Sequence, residues 1–307
     1  MEKNKSVILY GAGFRGGRIF LALAEENVHV EAFCDRDAAS IPLYFGCEVL
    51  TKEETLEKYS DLPFIVCIDD DQAKERVVNE LRESGVDIYN SFEAFFQGEN
   101  DVEIQTVQCG SKATFQIIPE LLKNRDNLVG YSFGIGFDFS FEIELAEKYK
   151  MNVYAYDPSP EVIETMKQQN LPDNLLYSPY GLSDEDDEKV FYLPSSGQDY
   201  SEYFTPWTSN ENISMQVYRL STLMKKNGHT CLDLLKMDIE GSEFMALPDI
   251  LKSGVKFDQL CIETHTRIFS NSVEKMRGIK CLLNEYGYLM VSNGRQEQTY
   301  IRKELIK

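Results

Sequence analysis

Tyr131-Ser132-Phe133-Gly134-Ile135-Gly136-Phe137-Asp138 is an apolar run that breaks on two glycines and closes on a carboxylate. It predicts a strand over 128–133, a tight glycine turn, and a helix over 138–150. Val153-Tyr154-Ala155-Tyr156-Asp157-Pro158 repeats the pattern, and so does Leu234-Leu235-Lys236-Met237-Asp238-Ile239-Glu240-Gly241. Each reads as a parallel strand whose carboxyl end carries glycine or an acid. In open α/β sheets ligands lie just outside those ends, so three of them in one chain predict a nucleoside-binding pocket.

Further strands extend this larger module. The second strand spans 151–156, and Ser159, Pro160 and Glu161 then supply an N-cap, a first-turn proline and a first-turn acid for a helix. Leu175–Ser178, Cys231–Met237 and Lys256–Glu263 are further strands of the sheet, and 190–193 and 214–219 are edge or inserted strands. Two runs, 286–292 and 298–302, flank Asn293-Gly294, a turn signal that predicts a closing antiparallel pair.

The chain opens with a second nucleotide-fold pattern. Ser6–Tyr10 runs into Gly11-Ala12-Gly13-Phe14-Arg15-Gly16, then an amphipathic segment, then a strand over 28–34 ending in Asp35. Gly11, Gly13 and Gly16 permit a tight turn and close helix packing, the helix N-terminus faces phosphate, and Asp35 is placed to accept from ribose hydroxyls. A polar helix over 52–59, a third strand over 64–68, a helix over 72–84 capped by Gly85, and a strand over 86–89 complete this unit. The polar stretch Gly98-Glu99-Asn100-Asp101 marks a boundary. The expected organisation is therefore a Rossmann-like nucleotide-binding domain over 1–99, a connecting segment over 100–127 with a short helix at 115–122, and a doubly wound α/β domain over 128–307.

With 307 residues, 43% hydrophobic and 27% charged, the chain has the composition of a soluble globular protein of two domains. Its formal net charge of −20 excludes a nucleic-acid surface, which draws affinity from clustered Lys and Arg, and argues against docking on anionic lipid. No apolar stretch approaches the ~20 residues that span a bilayer. Residues 1–5 are polar, without the core of a secretion signal. Seven scattered cysteines and three separated histidines fit free thiols in a reducing compartment and no preassembled zinc or all-histidine site. A cytoplasmic protein acting on a small molecule or sugar is expected, with a homo-oligomer left open.

Taken together, Tyr131-Ser132-Phe133-Gly134-Ile135-Gly136, Tyr156-Asp157-Pro158-Ser159, Tyr180-Gly181-Leu182-Ser183, Leu235-Lys236-Met237-Asp238-Ile239-Glu240-Gly241-Ser242-Glu243 and Cys261-Ile262-Glu263-Thr264-His265 resemble the FkbM-like branch of class I methyltransferases. The resemblance runs from about 128 to 301. It implies S-adenosylmethionine (SAM) as methyl donor, a seven-stranded sheet with a terminal β-hairpin, and action on small molecules or glycans. Two positions depart from the common pattern: Ser132 stands where many class I members place an acid, and Asp138 stands where a third glycine is common. The first hundred residues resemble the nucleotide-sugar-binding domain found ahead of some sugar acetyltransferases and methyltransferases.

On this reading Gly134 and Gly136 let the backbone approach the cofactor. Asp157, followed by Pro158, accepts from the ribose diol. Leu182 and Ser183 flank the adenine, and Asp138 caps the next helix or meets the methionine end. Asp238 orients the SAM amine or the acceptor hydroxyl. His265 is the candidate general base, its tautomer fixed by Glu263, and Glu240 and Glu243 share a helix face if that helix begins at Gly241. Asp238, Glu240 and Glu263 offer oxygen ligands to a divalent cation, but helix capping accounts for the same acids and no metal is expected. The acidic run 184–188 reads as a solvated turn. The loop over 193–212, with Tyr200, Tyr203, Phe204 and Trp207, is either a lid or the apolar underside of a surface loop. The expected activity is SAM-dependent O-methylation of a sugar or another small hydroxylated acceptor. The alternatives are an NAD(P)-dependent oxidoreductase using the Gly11 turn, and a non-catalytic nucleotide-sugar-binding protein.

Overall fold

The computed structural model describes residues 6–68, 70–89, 91–98, 100–111, 114–194, 200–203, 208–266, 269, 271–294 and 296–306. The chain divides after Gly98 into two compact units. Both are α/β.

The first unit runs β1 (Ser6–Tyr10), α1 (Phe14–Glu25), β2 (His29–Cys34), β3 (Leu43–Tyr44), β4 (Cys47–Leu50), α2 (Lys52–Tyr59), β5 (Phe64–Val66), α3 (Asp71–Glu83), β6 (Ile88–Tyr89) and α4 (Phe92–Gln97). Among the described residues its sheet has the order β3-β4-β2-β1-β5-β6, parallel except for the β3/β4 edge. The helix starts are chemically specified. Thr51 accepts from Glu54 N at 3.3 Å while Glu54 accepts from Thr51 N at 2.9 Å, a reciprocal capping box on α2. Asp70 accepts from Ala73 N at 2.7 Å and caps α3. The strand over 64–68 is thus not the third of this sheet. The four-residue β4, which follows a turn with Phe45 and Gly46 at positive φ, pairs with β2 before it.

The second unit begins with the antiparallel pair β7 (Val107–Cys109) and β8 (Phe115–Ile117). The expected helix over 115–122 is absent. Phe115 and Ile117 alternate inward, and Pro119 confines helical backbone to the single turn Pro119–Leu121. There follow β9 (Val129–Phe133), α5 (Ser140–Lys148), β10 (Asn152–Tyr156), α6 (Pro160–Met166), β11 (Leu175–Ser178), β12 (Gly181–Leu182), β13 (Asp187–Pro194), β14 (Thr208–Tyr218), α7 (Leu220–Asn227), β15 (Cys231–Met237), α8 (Glu243–Lys252), β16 (Lys256–Glu263), α9 (Ser272–Glu285), β17 (Tyr288–Asn293) and β18 (Glu297–Arg302). Seven of these strands form one sheet in the order β11-β10-β9-β15-β16-β18-β17. The first five are mutually parallel and β18 and β17 are antiparallel. The sheet is doubly wound. Tyr131, Phe133, Leu235, Met237, Leu260 and Ile262 point to one face, where α7, α8 and α9 cover them. Leu234 and Cys261 point to the other, with α5, α6 and the β7/β8 pair. Strands buried on both faces are rich in apolar residues, yet Lys236 in β15 and Asp258 and Gln259 in β16 are buried among them.

The expected edge strands at 190–193 and 214–219 are longer than their apolar cores suggest, and they form a separate sheet, β12-β14-β13. Helix α8 begins at Glu243 rather than Gly241, because Glu240 and Gly241 both take positive φ, at 50° and 103°. Glu240 therefore lies outside the helix and shares no helical face with Glu243. No helix among the described residues is long and apolar enough to cross a membrane.

Candidate active site

Because β10, β9, β15 and β16 run parallel, their carboxyl ends open on one edge of the sheet. Gly134 N donates to Tyr156 O at 2.9 Å and Asp238 N donates to Phe133 O at 3.2 Å, so the chain stays paired just past the strand ends. Gly134 has φ +71°, and a Cβ there would sit 1.6 Å from the Asp238 carbonyl oxygen. Only glycine fits that approach. Gly136 also has positive φ, at 56°, but a Cβ there would meet nothing within 4 Å.

A cavity of about 350 Å³ lies at this edge, within the range of small-molecule sites. Gly134, Gly136, Asp138, Asp157 and Pro158 line it on one side, Asp238, Ile239 and Glu240 on another, and Tyr180, Leu182, Phe191 and Met215 add apolar surface. Asp157 is 4% exposed. Its Oδ2 accepts from Gly136 N at 3.0 Å and its Oδ1 from Ser159 N at 2.9 Å. The carboxylate thus pins the glycine turn and the start of α6 at once. Ser159 is the N-cap residue of α6, although the capping contact comes from Asp157. Asp138 Oδ1 accepts from Ser140 N at 3.3 Å, tying the turn to the first residue of α5. A turn that admits backbone, an acceptor-only side chain at the next strand end and an apolar wall together fit a nucleoside-sized ligand.

Behind the cavity lies a buried charge network. Lys236, 2% exposed, donates to Gly134 O at 2.5 Å and pairs with Asp238 Oδ2 at 3.2 Å. Burial alone pulls this ammonium down, but the carboxylates of Asp238 and Glu142 outweigh it and hold it above the usual lysine range. Ser132 donates to Glu142 Oε1 at 2.5 Å. Glu142, on α5 and 1% exposed, is pushed above the usual carboxylate range by burial, with Lys236 opposing. A carboxyl group therefore does stand beside the end of β9, delivered by the next helix.

His265 is 1% exposed and does not line the cavity. Its Nδ1 meets Glu243 Oε1 at 2.9 Å, and its Nε2 faces Glu240 at 3.2 Å, Glu263 at 3.5 Å and Asp238 at 3.7 Å. Burial lowers the imidazole pKa, yet Glu243 and Glu240 more than reverse this and hold it well above its ordinary value. Burial and the neighbouring Asp238 push Glu263 up to about 8, with His265 opposing. Glu243, which is fully buried, accepts from Ile239 N at 2.8 Å and Gly241 N at 2.9 Å as well as facing His265. The residue that fixes the imidazole is thus Glu243, not Glu263.

Of the residues singled out in sequence, the structure brings Gly134, Gly136, Asp138, Asp157, Pro158, Leu182 and Asp238 to the cavity. Ser183 is fully buried outside its lining, where its hydroxyl accepts from Lys189 Nζ at 2.7 Å. The acidic run is not merely a solvated turn. Asp184 and Glu185 pair with Lys189, and Asp186 accepts from Arg219 N at 2.8 Å and from Thr222 Oγ1 at 2.7 Å at the start of α7. Tyr200 lines the cavity and Tyr203 packs edge-on against Phe269. Phe204 and Trp207 lie outside the described residues. In the first unit Gly11 has φ +117°, and a Cβ on Gly16 would lie 2.0 Å from Gly11 O. Gly13 is the N-cap residue of α1, and Asp35 accepts from Ala12 N at 2.7 Å and Asp37 N at 2.9 Å.

A nucleoside-type pocket at the parallel edge of a seven-stranded sheet ending in an antiparallel pair defines a transferase-type α/β domain, and the comparison with known families agrees. The model of the methyltransferase FkbM domain matches residues 129–290, just over half of the chain, and the chain belongs to that family. No curated protein sequence matches it. Among solved structures, it is similar to a methyltransferase FkbM from Methylobacillus flagellatus KT at 14% identity over 97% of this chain and 90% of that one, with a TM-score of 0.41. It is also similar to M. jannaschii TYW2 in complex with AdoMet, at 12% identity over 66% and 88% of the two chains and a TM-score of 0.28. A third is a phosphoethanolamine N-methyltransferase 2 of Haemonchus contortus, at 8% identity over 92% and 79% and a TM-score of 0.25.

Proposed function

We propose that the cavity holds SAM and that the chain methylates a hydroxyl of a sugar or another small hydroxylated acceptor. The observation carrying this reading is the joining of Gly134, Gly136 and Asp157 around one cavity inside the region that matches the methyltransferase family. Bound SAM would supply a methyl group on a sulfonium, open to in-line attack. Asp157 would accept from the ribose hydroxyls with the lone pairs its two backbone bonds leave over. Gly134 and Gly136 would admit the amino-acid arm, and Leu182 with Phe191 and Met215 would exclude water.

A hydroxyl nucleophile needs a proton acceptor at the reacting edge. Asp238 is the candidate, since it faces the cavity while Lys236 holds its other oxygen. His265 lies behind it, outside the cavity lining and with Nδ1 on Glu243, and would serve as a positioning residue together with Glu263. The test is a panel of sugars and small alcohols incubated with SAM, with the site of each methyl gain located by fragmentation mass spectrometry. Gains on oxygen support the reading. Gains confined to nitrogen, or none from protein that binds SAM, would sink the O-methylation reading.

For the first unit we propose a nucleotide or nucleotide sugar at the Gly11–Gly16 turn, supported by Asp35 being fixed against Ala12 N beside the start of α1. The oxidoreductase alternative would place NAD(P) there. A titration with UDP-sugars and NADH, repeated on Asp35→Ala, separates the two, and failure of both would leave this unit without a ligand.

A further inference from the structure

We infer that His265, Asp238, Glu240 and Glu263 form a site for one divalent cation of the magnesium and manganese type. The approach of three carboxylates to a single nitrogen carries the inference. Among the described residues, the partners of His265 Nε2 are Glu240, Glu263 and Asp238, at 3.2, 3.5 and 3.7 Å. One N–H can donate to only one of those oxygens at a time, and Lys236 also reaches this group, at 3.2 Å from Asp238 Oδ2. Ligand atoms of Asp238, Glu263 and His265 all lie within 4.8 Å of one another. Around an octahedral ion with bonds of about 2.1 Å, adjacent ligands lie about 3 Å apart, so small side-chain movements bring these groups to bonding distance.

The second observation is the histidine itself, which an acidic surface patch would not supply. It is 1% exposed and aims Nε2 into the cluster, while its Nδ1 is engaged by Glu243, a fully buried carboxylate whose two oxygens also accept from Ile239 N and Gly241 N. A carboxylate backing the far nitrogen of a histidine, itself fixed by backbone amides, is the arrangement that orients metal-ligating imidazoles. Oxygen donors suit magnesium, calcium or manganese, and the imidazole tilts the choice toward manganese. In the sequence helix capping accounts for the three acids, and His265, two residues past β16, joins them only in the folded chain. Asp238 and Glu240 also line the cavity, so a cation held here would take an acceptor oxygen and ease loss of its proton. That last role rests on the proposed methyl transfer, whereas ion binding does not.

The experiment is a titration of chelator-treated full-length protein with Mn²⁺, reading free ion by electron paramagnetic resonance, with S-adenosylhomocysteine (SAH) binding measured in parallel. One ion per chain is expected. Affinity should fall at least about 10-fold in Glu263→Gln and in Glu243→Gln, with SAH binding kept in Glu263→Gln, which does not line the cavity. On the wild-type protein alone, the bound Mn²⁺ should show coupling to one imidazole nitrogen. No saturation up to about 1 mM, the weak end of such sites, overturns the inference. So does a bound ion without nitrogen coupling, or one indifferent to Glu263→Gln. Loss of SAH binding in the wild type would instead overturn the cofactor reading, whatever the ion does.

Discussion

Gly134 and Gly136 sit two residues apart, both at positive φ, yet alanine should cost far more at the first than at the second. At Gly136 the new Cβ meets nothing within 4 Å, so the expense is backbone strain alone, about 1–2 kcal/mol for a non-glycine residue in the left-handed region. In a unit of this size that corresponds to a melting-temperature loss of about 2–8 °C. At Gly134 the same strain is joined by a collision. The Cβ would lie 1.6 Å from Asp238 O, where contacts under 3.0 Å do not occur, so backbone must move by about 1.4 Å. That displacement opens the β9/β15 pairing beside Lys236 and Asp238, and the loss should exceed about 4 kcal/mol, the range of severe core lesions. The assay is thermal and urea unfolding of both variants, with calorimetric titration of SAH on Gly136→Ala. That variant should fold and bind SAH at least about 10-fold more weakly, or about 1.4 kcal/mol. Equal stability of the two variants would refute the packing of the turn on β15. Unchanged SAH affinity in Gly136→Ala would refute the placement of the cofactor.

Asp157→Ala removes the acceptor of two backbone N–H groups, each bond to a charged partner being worth about 1.5–3 kcal/mol. With water partly replacing them, a stability loss of about 2–4 kcal/mol is expected from urea unfolding, and SAH binding should vanish from calorimetry. A variant that keeps wild-type affinity would remove Asp157 from the site. Lys236→Met leaves Asp238 and Glu142 without their cation and should destabilise by about 3–5 kcal/mol; a near-neutral change would mean the network is not ionised. For Glu142, burial raises the folded pKa, so the native state keeps a proton that the unfolded chain loses first. Its contribution to stability therefore falls as pH rises through the usual carboxylate range toward the folded value. Glu142→Gln does not titrate and should gain on the wild type in denaturant titrations as pH rises above the usual carboxylate range. A constant difference over that rise would contradict the assignment.

Much of the sheet was legible because its strands are rich in apolar residues between turn signals, although Asp258 and Gln259 are buried within β16. Leu175–Ser178, Cys231–Met237 and Lys256–Glu263 have the bounds the sequence suggests. The short β4 was not legible, since four residues after a turn carry too little periodicity. The helix expected at 115–122 fails on Pro119, before which the chain runs as a strand and after which it makes a single helical turn. At the site, residues on strand ends and glycine turns fell where expected, because the parallel sheet fixes their edge. Glu263 ends β16 as expected, whereas Ser183 and His265 lie just past strand ends, where no local pattern encodes their partners. Glu142, Glu243 and Lys236 were missed as network members, although a signal existed. Lys236 interrupts the apolar run Leu234–Met237, and Glu142 lies between the apolar Phe141 and Ile143. A charge in such a position is buried and must find a partner.

The central claim concerns where the cofactor sits, so the most direct measurement is photo-crosslinking of radiolabelled SAM followed by peptide mapping. Label is expected in peptides covering 131–138 and 156–162, competed away by SAH and lost in Asp157→Ala. Label confined to the peptides around Gly11 and Asp35, or uptake that SAH does not compete, would contradict the account.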